Sequence, residues 1–188
     1  KSRFPIRGRY KHFSFKRLGW FNNTQAGSLT CTHGGNYQGG HIVNMWYAHT
    51  VAVGSGTTTT PDDDTIPQIT EGNEFISIKV APSKASNMLR VDVIANVAHT
   101  GASVTTLAIY QDATADALRA TQNRPDVANR IHQICLTHCF YPGTTALITI
   151  SARVGDVGAG TCTWDGVSSA RKLGGVQRSS ITVMELET

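Results

Sequence analysis

The residues best suited to chemistry are the three consecutive acids Asp62, Asp63 and Asp64, which follow Pro61. Carboxylates in a turn can hold Ca²⁺, a hard cation that takes about six to eight oxygen ligands. The spaced ligands and the distal Glu of a calcium loop are missing from this segment. We therefore favour a solvated turn, with a cation site as the alternative.

Two histidines, His132 and His138, lie in the run RIHQICLTHCFY. On a β-strand they would share a face with Ile134, Leu136 and Phe140. Histidines can ligate metals, but this face is otherwise apolar. We therefore predict hydrogen-bonded core or interface histidines rather than metal ligands.

A cluster of basic residues near the end of the chain, Arg171, Lys172 and Arg178, brackets Gly174 and Gly175. These side chains could bind an anion. The alternative, which the sequence favours, is a solvated loop.

The four cysteines do not have the spacing of a metal finger, and they are too sparse for a disulfide scaffold. On one strand Cys135 and Cys139 would stand about 13 Å apart, which is too far for a disulfide. We predict that Cys31, Cys135, Cys139 and Cys162 are all reduced and mostly buried.

Catalytic and membrane signatures are missing from the sequence. It contains neither GxSxG nor HExxH, and no carboxylate pair lies in a context that suggests glycoside cleavage. No apolar run approaches the roughly 20 residues of a membrane span, and the N-terminus has no apolar core of a signal peptide. We expect a soluble, non-enzymatic protein that needs no cofactor, contacts no membrane and is made in a reducing cytoplasm.

Residues 1–40 form a basic, aromatic arm and a Gly-rich linker. Seven of the 17 basic residues precede the first acidic residue, Asp62. We predict an assembly arm whose rings dock on a neighbouring subunit, with a single-stranded nucleic-acid surface and a solvated tail as alternatives. Residues 10–16 could form an edge strand within it. The residues assigned to this arm are Arg3, Arg7, Arg9, Tyr10, Lys11, Phe13, Phe15, Lys16, Arg17 and Trp20.

Residues 41–188 show the period of two that is typical of strands. The clearest example is MLRVDVIANVAH, which places Leu89, Val91, Val93, Ala95 and Val97 on one face. Further strands are predicted for HIVNMWYAHTVAV, EFISIKV and SVTTLAIYQD, the last with Leu107 and Ile109 on one face, whereas ATADALRAT fits either a short helix or the far side of a hairpin. The closing runs RIHQICLTHCFY, TTALITISARV, GTCTW and RSSITVMELE bring the total to about eight strands. This pattern predicts an all-β, antiparallel sandwich or jelly roll.

Three stretches together resemble a known family: DDDTIPQITEGNEFISIKVAPSKASNMLRVDV, LAIYQDATADALRAT and GTCTWDGVSSARKLGGVQRSSITVMELE. In order and spacing they are similar to the C-terminal domain of bacteriophage tail fibres and tail spikes, over roughly residues 41–187. The resemblance implies a homotrimeric jelly roll of the tumour-necrosis-factor and C1q type on a virion appendage. It implies no catalytic residue.

The function we expect is that of a structural virion protein which attaches to a host surface glycan or protein and contacts other virion proteins through the arm. Residues 54–70, 121–130 and 153–160 are the candidate host-contact loops. A head decoration protein, a baseplate or collar component, or a capsid protein that uses the arm for assembly or nucleic-acid contact is the alternative.

Overall fold

The computed structural model describes residues 40–188. The predicted arm, its candidate edge strand, the division of the chain at residue 40 and Cys31 therefore involve residues outside the described part and remain predictions.

Residues 40–188 form twelve β-strands and one 3₁₀ turn. In this part of the chain no helix has the length and apolar character needed to cross a membrane. The strands are β1 (Ile42–His49), β2 (Gly54–Gly56), β3 (Asn73–Val80), β4 (Met88–His99), β5 (Thr105–Gln111), β6 (Arg119–Asn123), β7 (His132–Phe140), β8 (Ile148–Asp156), β9 (Cys162–Trp164), β10 (Gly166–Val167), β11 (Ala170–Arg171) and β12 (Ser180–Leu186), and the 3₁₀ turn is Leu173–Gly175.

Eight long strands pair in a nested antiparallel order. The first pairs with the last (β1 with β12), β3 pairs with β8, β4 with β7, and β5 with β6. The result is two sheets, which we call the front sheet (β1-β12-β4-β7, extended by β9 and β2 along β4) and the back sheet (β3-β8-β5-β6). Nested pairing across two sheets is the jelly-roll arrangement, so the predicted fold class is confirmed.

The core lies between the two sheets and is built from the inward half of each alternating strand. All five residues that were predicted to share a face of β4, Leu89 to Val97, are at most 1% exposed. From the back sheet, Leu107, Ile109 and Ile150 are fully buried against them. The period of two therefore identified the apolar core, because successive side chains of a strand point to opposite faces.

The segment ATADALRAT contributes to the far side of a hairpin. Arg119–Asn123 pairs with β5, with Leu107 opposite Thr121. The helical alternative is therefore wrong, and so is the assignment of residues 121–123 to a loop. The tight turn before β6 favours strand pairing: Asp112 has φ +52°, and the amide of Thr114 donates to the carbonyl of Gln111.

Candidate assembly face and buried polar clusters

The outward side chains of the front sheet form one continuous surface, which we call the assembly face. The strand register places them in rows: Met45 lies opposite Met184, which lies opposite Arg90, which lies opposite Cys139. The face consists of Met45, Tyr47, His49, Met88, Arg90, Asp92, Ile94, Gln133, Cys135, Thr137, Cys139, Ser180, Thr182, Met184 and Leu186.

The assembly face leaves large apolar side chains open to solvent. Met45 is 64% exposed, Tyr47 59% and Ile94 40%. The face extends to the edge strand β1, where Ile42 and Val43 are also exposed. Met45 and Tyr47 are neighbours on one face of β1 with Met184 beside them, and exposed apolar side chains that lie together mark an interaction site more often than scattered ones do.

The charges within the face neutralise each other. Arg90 Nε donates to Asp92 Oδ2 at 3.0 Å, and the hydrogen bond and charge of Asp92 raise the pKa of Arg90. Thr137 Oγ1 also donates to Asp92, at 2.6 Å. A partner that covers this face therefore meets a paired charge rather than an isolated one.

Two of the cysteines lie on the assembly face. Cys135 and Cys139 are exposed free thiols, whereas Cys162 is free and buried. The prediction of mostly buried cysteines is wrong for Cys135 and Cys139, because the outward face of β7 carries them while its inward face carries Ile134 and Leu136. The prediction that they do not bridge is confirmed.

The two histidines of β7 point inward with Ile134 and Leu136, as predicted. Burial lowers the pKa of both His132 and His138. His138 stacks on Phe140, with ring centroids 5.9 Å apart. The hydrogen bonding of His132 is incomplete. Its Nδ1 lies 3.4 Å from the carbonyl oxygen of Arg130, and its Nε2 is buried without a hydrogen-bond partner.

The three consecutive acids form an exposed turn. Asp63 accepts a hydrogen bond from the amide of Thr65 at 2.9 Å and one from its hydroxyl, and these bonds lower the pKa of Asp63. Asp62 accepts from Gln122 at 3.0 Å. The acids do not converge on a common point within the described chain, where the only group of three potential metal ligands within 4.8 Å lies elsewhere.

Two of the three basic residues near the end of the chain lie at the same cavity. Arg171, Arg178, Gly174 and Gly175 line a small cavity of about 120 Å³, whereas Lys172 does not line it. Arg178 Nη1 donates to the carbonyl of Thr50 at 2.7 Å, which fixes that side chain at the cavity. The carboxylate of Asp165, which accepts hydrogen bonds from the Thr50 and Ser179 hydroxyls, also lines the cavity, so the two guanidinium groups face one negative charge there.

The predicted host-contact loops are only partly loops. Residues 54–56 form β2, residues 121–123 belong to β6 and residues 153–156 belong to β8. The irregular remainder of the first loop is attached to the end of β8, where the amide of Thr60 donates to the carbonyl of Asp156 at 3.1 Å. These corrections follow from strand pairing, which extends beyond the apolar residues that were used to set the strand ends.

A buried carboxylate, Glu185, was not predicted. It is fully buried on the inward face of β12, and five donor groups reach it: the amide of Ser83 at 2.8 Å, the Ser83 hydroxyl at 2.7 Å, the amide of Lys84 at 3.3 Å, Asn87 at 2.7 Å and Asn44 at 2.6 Å. Burial raises the pKa of Glu185, but these hydrogen bonds outweigh it and hold the pKa at about 2. One signal in the sequence could have identified it. Glu185 follows Ile181 and Val183 at the strand period of two, which places its side chain on the same inward face.

A second cluster that was not predicted closes the other end of the core. His99, Asp156 and Cys162 are each at most 3% exposed, and their potential ligand atoms lie within 4.8 Å of one another. Burial and the charge of Asp156 raise the pKa of Cys162 to about 12. Burial therefore favours the protonated form of the Cys162 thiol, which is a poor nucleophile.

No protein-family model and no curated protein matches this chain. Solved structures with similar strand arrangements include Eiger TNF from S. frugiperda (TM-score 0.45, 10% identity, 76% of this chain and 93% of that chain). Others are the infectious bursal disease virus Gt strain (0.39, 8%, 86% and 42%) and the bacteriophage CBA120 tailspike protein 4 enzymatically active domain (0.28, 16%, 68% and 20%). The chain spans less than half the length of the last two proteins.

Proposed function

We propose that this protein is a structural, non-enzymatic subunit of a tailed-bacteriophage virion. It forms a homotrimeric jelly roll on a tail fibre, tail spike or related appendage and contributes to host attachment. The observation that carries the proposal is the assembly face, together with the sequence resemblance described above.

The occupant that we propose for the assembly face is another copy of the same chain. The exposed Met45 and Tyr47 favour a partner that excludes water, and the Arg90–Asp92 pair leaves the face without a strong charge that would select an oppositely charged partner. Homo-oligomers close most readily by cyclic symmetry. The choice of three copies rests on the resemblance to trimeric tail-fibre domains.

Host contact is assigned to residues that do not belong to the assembly face. The cavity lined by Arg171, Arg178 and Asp165 is a candidate contact for a polar or acidic group on a host glycan or protein, since its two guanidinium groups outnumber its one carboxylate and bind acidic groups through several donors. Residues 57–70 provide a second, irregular surface beside β8. The proposed contacts involve binding only.

Two measurements test this function. Light scattering of the purified protein is expected to give three times the chain mass of 20.2 kDa. Cryo-electron microscopy of intact particles is expected to place the subunit on the tail. A monomer at micromolar concentration would overturn the assembly proposal, whereas a trimer located in the head lattice would retain the assembly and overturn the appendage role.

The second candidate function is a head decoration or capsid protein that uses its basic arm. It is favoured by the seven basic residues that precede Asp62. If the arm neutralises phosphates, the logarithm of the binding constant should fall by about 0.7 to 0.9 per phosphate contact for each tenfold rise in salt. Salt-independent binding, or no binding of single-stranded nucleic acid at low salt, would remove the nucleic-acid role.

A further inference from the structure

The last layer of the core is polar at one end of the sandwich. His99 continues the inward series of β4 after Val97, and Asp156 continues that of β8 after Val154. Cys162 lies directly opposite His99 in the β4–β9 pair, so the two side chains share the inward face. Thr105 lies opposite Asp156 in the β5–β8 pair and is fully buried. Four strands from both sheets therefore meet in this layer.

The contacts within the layer leave one of its atoms unsatisfied. Asp156 accepts hydrogen bonds from the Ser103 hydroxyl, from Thr105 Oγ1 at 2.9 Å and from the amide of Gly158 at 3.0 Å. His99 Nδ1 lies 3.0 Å from the amide nitrogen of Gly101, 3.3 Å from the carbonyl oxygen of the same residue and 3.4 Å from Asp156 Oδ2. Nε2 is buried and has no partner. Asn87 Oδ1 and His132 Nε2 are likewise buried and unpaired within residues 40–188, so the unpaired Nε2 alone does not distinguish this layer from a structural one.

The donor set is that of a zinc site. Thiolate, imidazole and carboxylate are the three ligand types that Zn²⁺ takes from proteins, and ligand atoms around one tetrahedral zinc lie about 3.3–3.6 Å apart. His99 Nδ1 and Asp156 Oδ2 are 3.4 Å apart, and Cys162 Sγ belongs to a group whose atoms all lie within 4.8 Å. An ion held by Nδ1 would replace the hydrogen bond from the Gly101 amide, and the three ligand atoms would have to come from within 4.8 Å to about 3.3–3.6 Å of one another.

The hydroxyl and amide donors around Asp156 would act as the outer shell of such a site. Ligating carboxylates in metalloproteins are themselves hydrogen-bonded, and these partners orient them. Thr105 and Ser103 already hold the Asp156 carboxylate toward His99. Binding to Cys162 requires its thiol to release a proton to solvent, which makes affinity rise with pH.

We propose that His99, Asp156 and Cys162 bind one Zn²⁺ ion per chain and that this ion joins the front and back sheets at this end of the core. All three ligands are buried, and a water molecule would have to complete a tetrahedral coordination, because the group found among the described residues has three members. The zinc proposal does not depend on the proposed virion function.

The test uses the 188-residue chain carrying Cys31→Ser, which removes the thiol that precedes the described residues. Protein produced in zinc-supplemented medium and dialysed extensively is expected to retain about one zinc per chain by elemental analysis. After removal of the metal under mild conditions, Co²⁺ is expected to bind and to give the near-ultraviolet charge-transfer absorption of a cobalt–thiolate bond.

Cys162→Ser is expected to abolish the charge-transfer absorption and to lower zinc retention at least tenfold. The matched control is Cys135→Ser, an exposed thiol of the same chain, which is expected to change neither. If Cys162→Ser fails to fold by circular dichroism, the cobalt titration of the parent protein decides alone. Absence of retained zinc together with absence of a thiolate band in the parent, or an unchanged band in folded Cys162→Ser, would overturn the proposal.

Discussion

The carboxylate of Glu185 accepts a 2.7 Å hydrogen bond from the side-chain amide of Asn87, which lies 98 residues earlier in the chain. This bond connects the last long strand to the turn between β3 and β4. Ser83, in the same turn, donates two more hydrogen bonds to the same oxygen. The turn is therefore fastened to β12 by a buried anion.

Replacing this anion should destabilise the fold. Glu185→Gln keeps the shape but removes the charge, so we expect the free energy of unfolding at pH 7 to fall by about 1–3 kcal/mol, because hydrogen bonds to a charged group are lost. Urea denaturation measures this change. The control is Glu187→Gln, two residues further along the chain. Glu187 pairs with the exposed Lys84, and loss of an exposed ion pair should change the free energy of unfolding little.

The same carboxylate predicts a dependence of stability on acid. The folded pKa of Glu185 is about 2, below its ordinary value of 4.5, so its contribution is present above about pH 4.5 and is lost as the pH falls toward 2. Glu185→Gln should show a shallower loss of stability across this window. Identical slopes for the two proteins would contradict the assignment.

A charge on the assembly face should dissociate the oligomer. Tyr47→Lys or Met45→Lys places an ammonium group where we propose that a second copy packs, so light scattering should report a shift to the monomer mass. Both side chains are exposed in the single chain, and circular dichroism should therefore remain that of the folded protein. The matched control is Val176→Lys, which alters a side chain that is 81% exposed outside this face and should leave the mass unchanged.

Thiol labelling should report the same interface independently. In a Cys31→Ser background we expect Cys135 and Cys139 to react slowly in the oligomer and at least tenfold faster in the Tyr47→Lys monomer. Cys162 should remain unreactive in both, because burial raises its pKa to about 12. Rapid labelling of two thiols in the oligomer would show that the face stays open.

His132 should make the fold sensitive to mild acid. Burial lowers its pKa below 6.5, so the unfolded chain takes up a proton first and stability falls as the pH drops below 6.5. His132→Phe removes the unpaired Nε2 and should reduce that fall in denaturation curves between pH 7 and pH 5. His41→Gln, which changes an exposed histidine, is the control.

Much of the fold could be predicted from the sequence, because the alternation of apolar and polar residues along a strand indicates which side chains are buried. The inward series of β4 and β5 followed from spacing alone. The strand limits of β6 and β8 did not, since backbone pairing continues past the last apolar side chain, as at Thr121. Glu185 and the His99 cluster could not be predicted by searching for motifs, because their members come from distant strands and lie in phase with apolar residues.

The nested strand order also has a consequence for biosynthesis. In the front sheet β12 lies between β1 and β4. A chain that is still emerging from the ribosome can form the β5–β6 hairpin early. Its β1 strand, however, has no pairing partner until β12, which ends at Leu186, has been synthesised. The closing contact spans almost the whole body, from Ile42 to Leu186, and contacts of such long range form slowly. We therefore expect nascent chains that stop before β12 to expose β1 and the edge of β4, which makes them targets for chaperones and proteases.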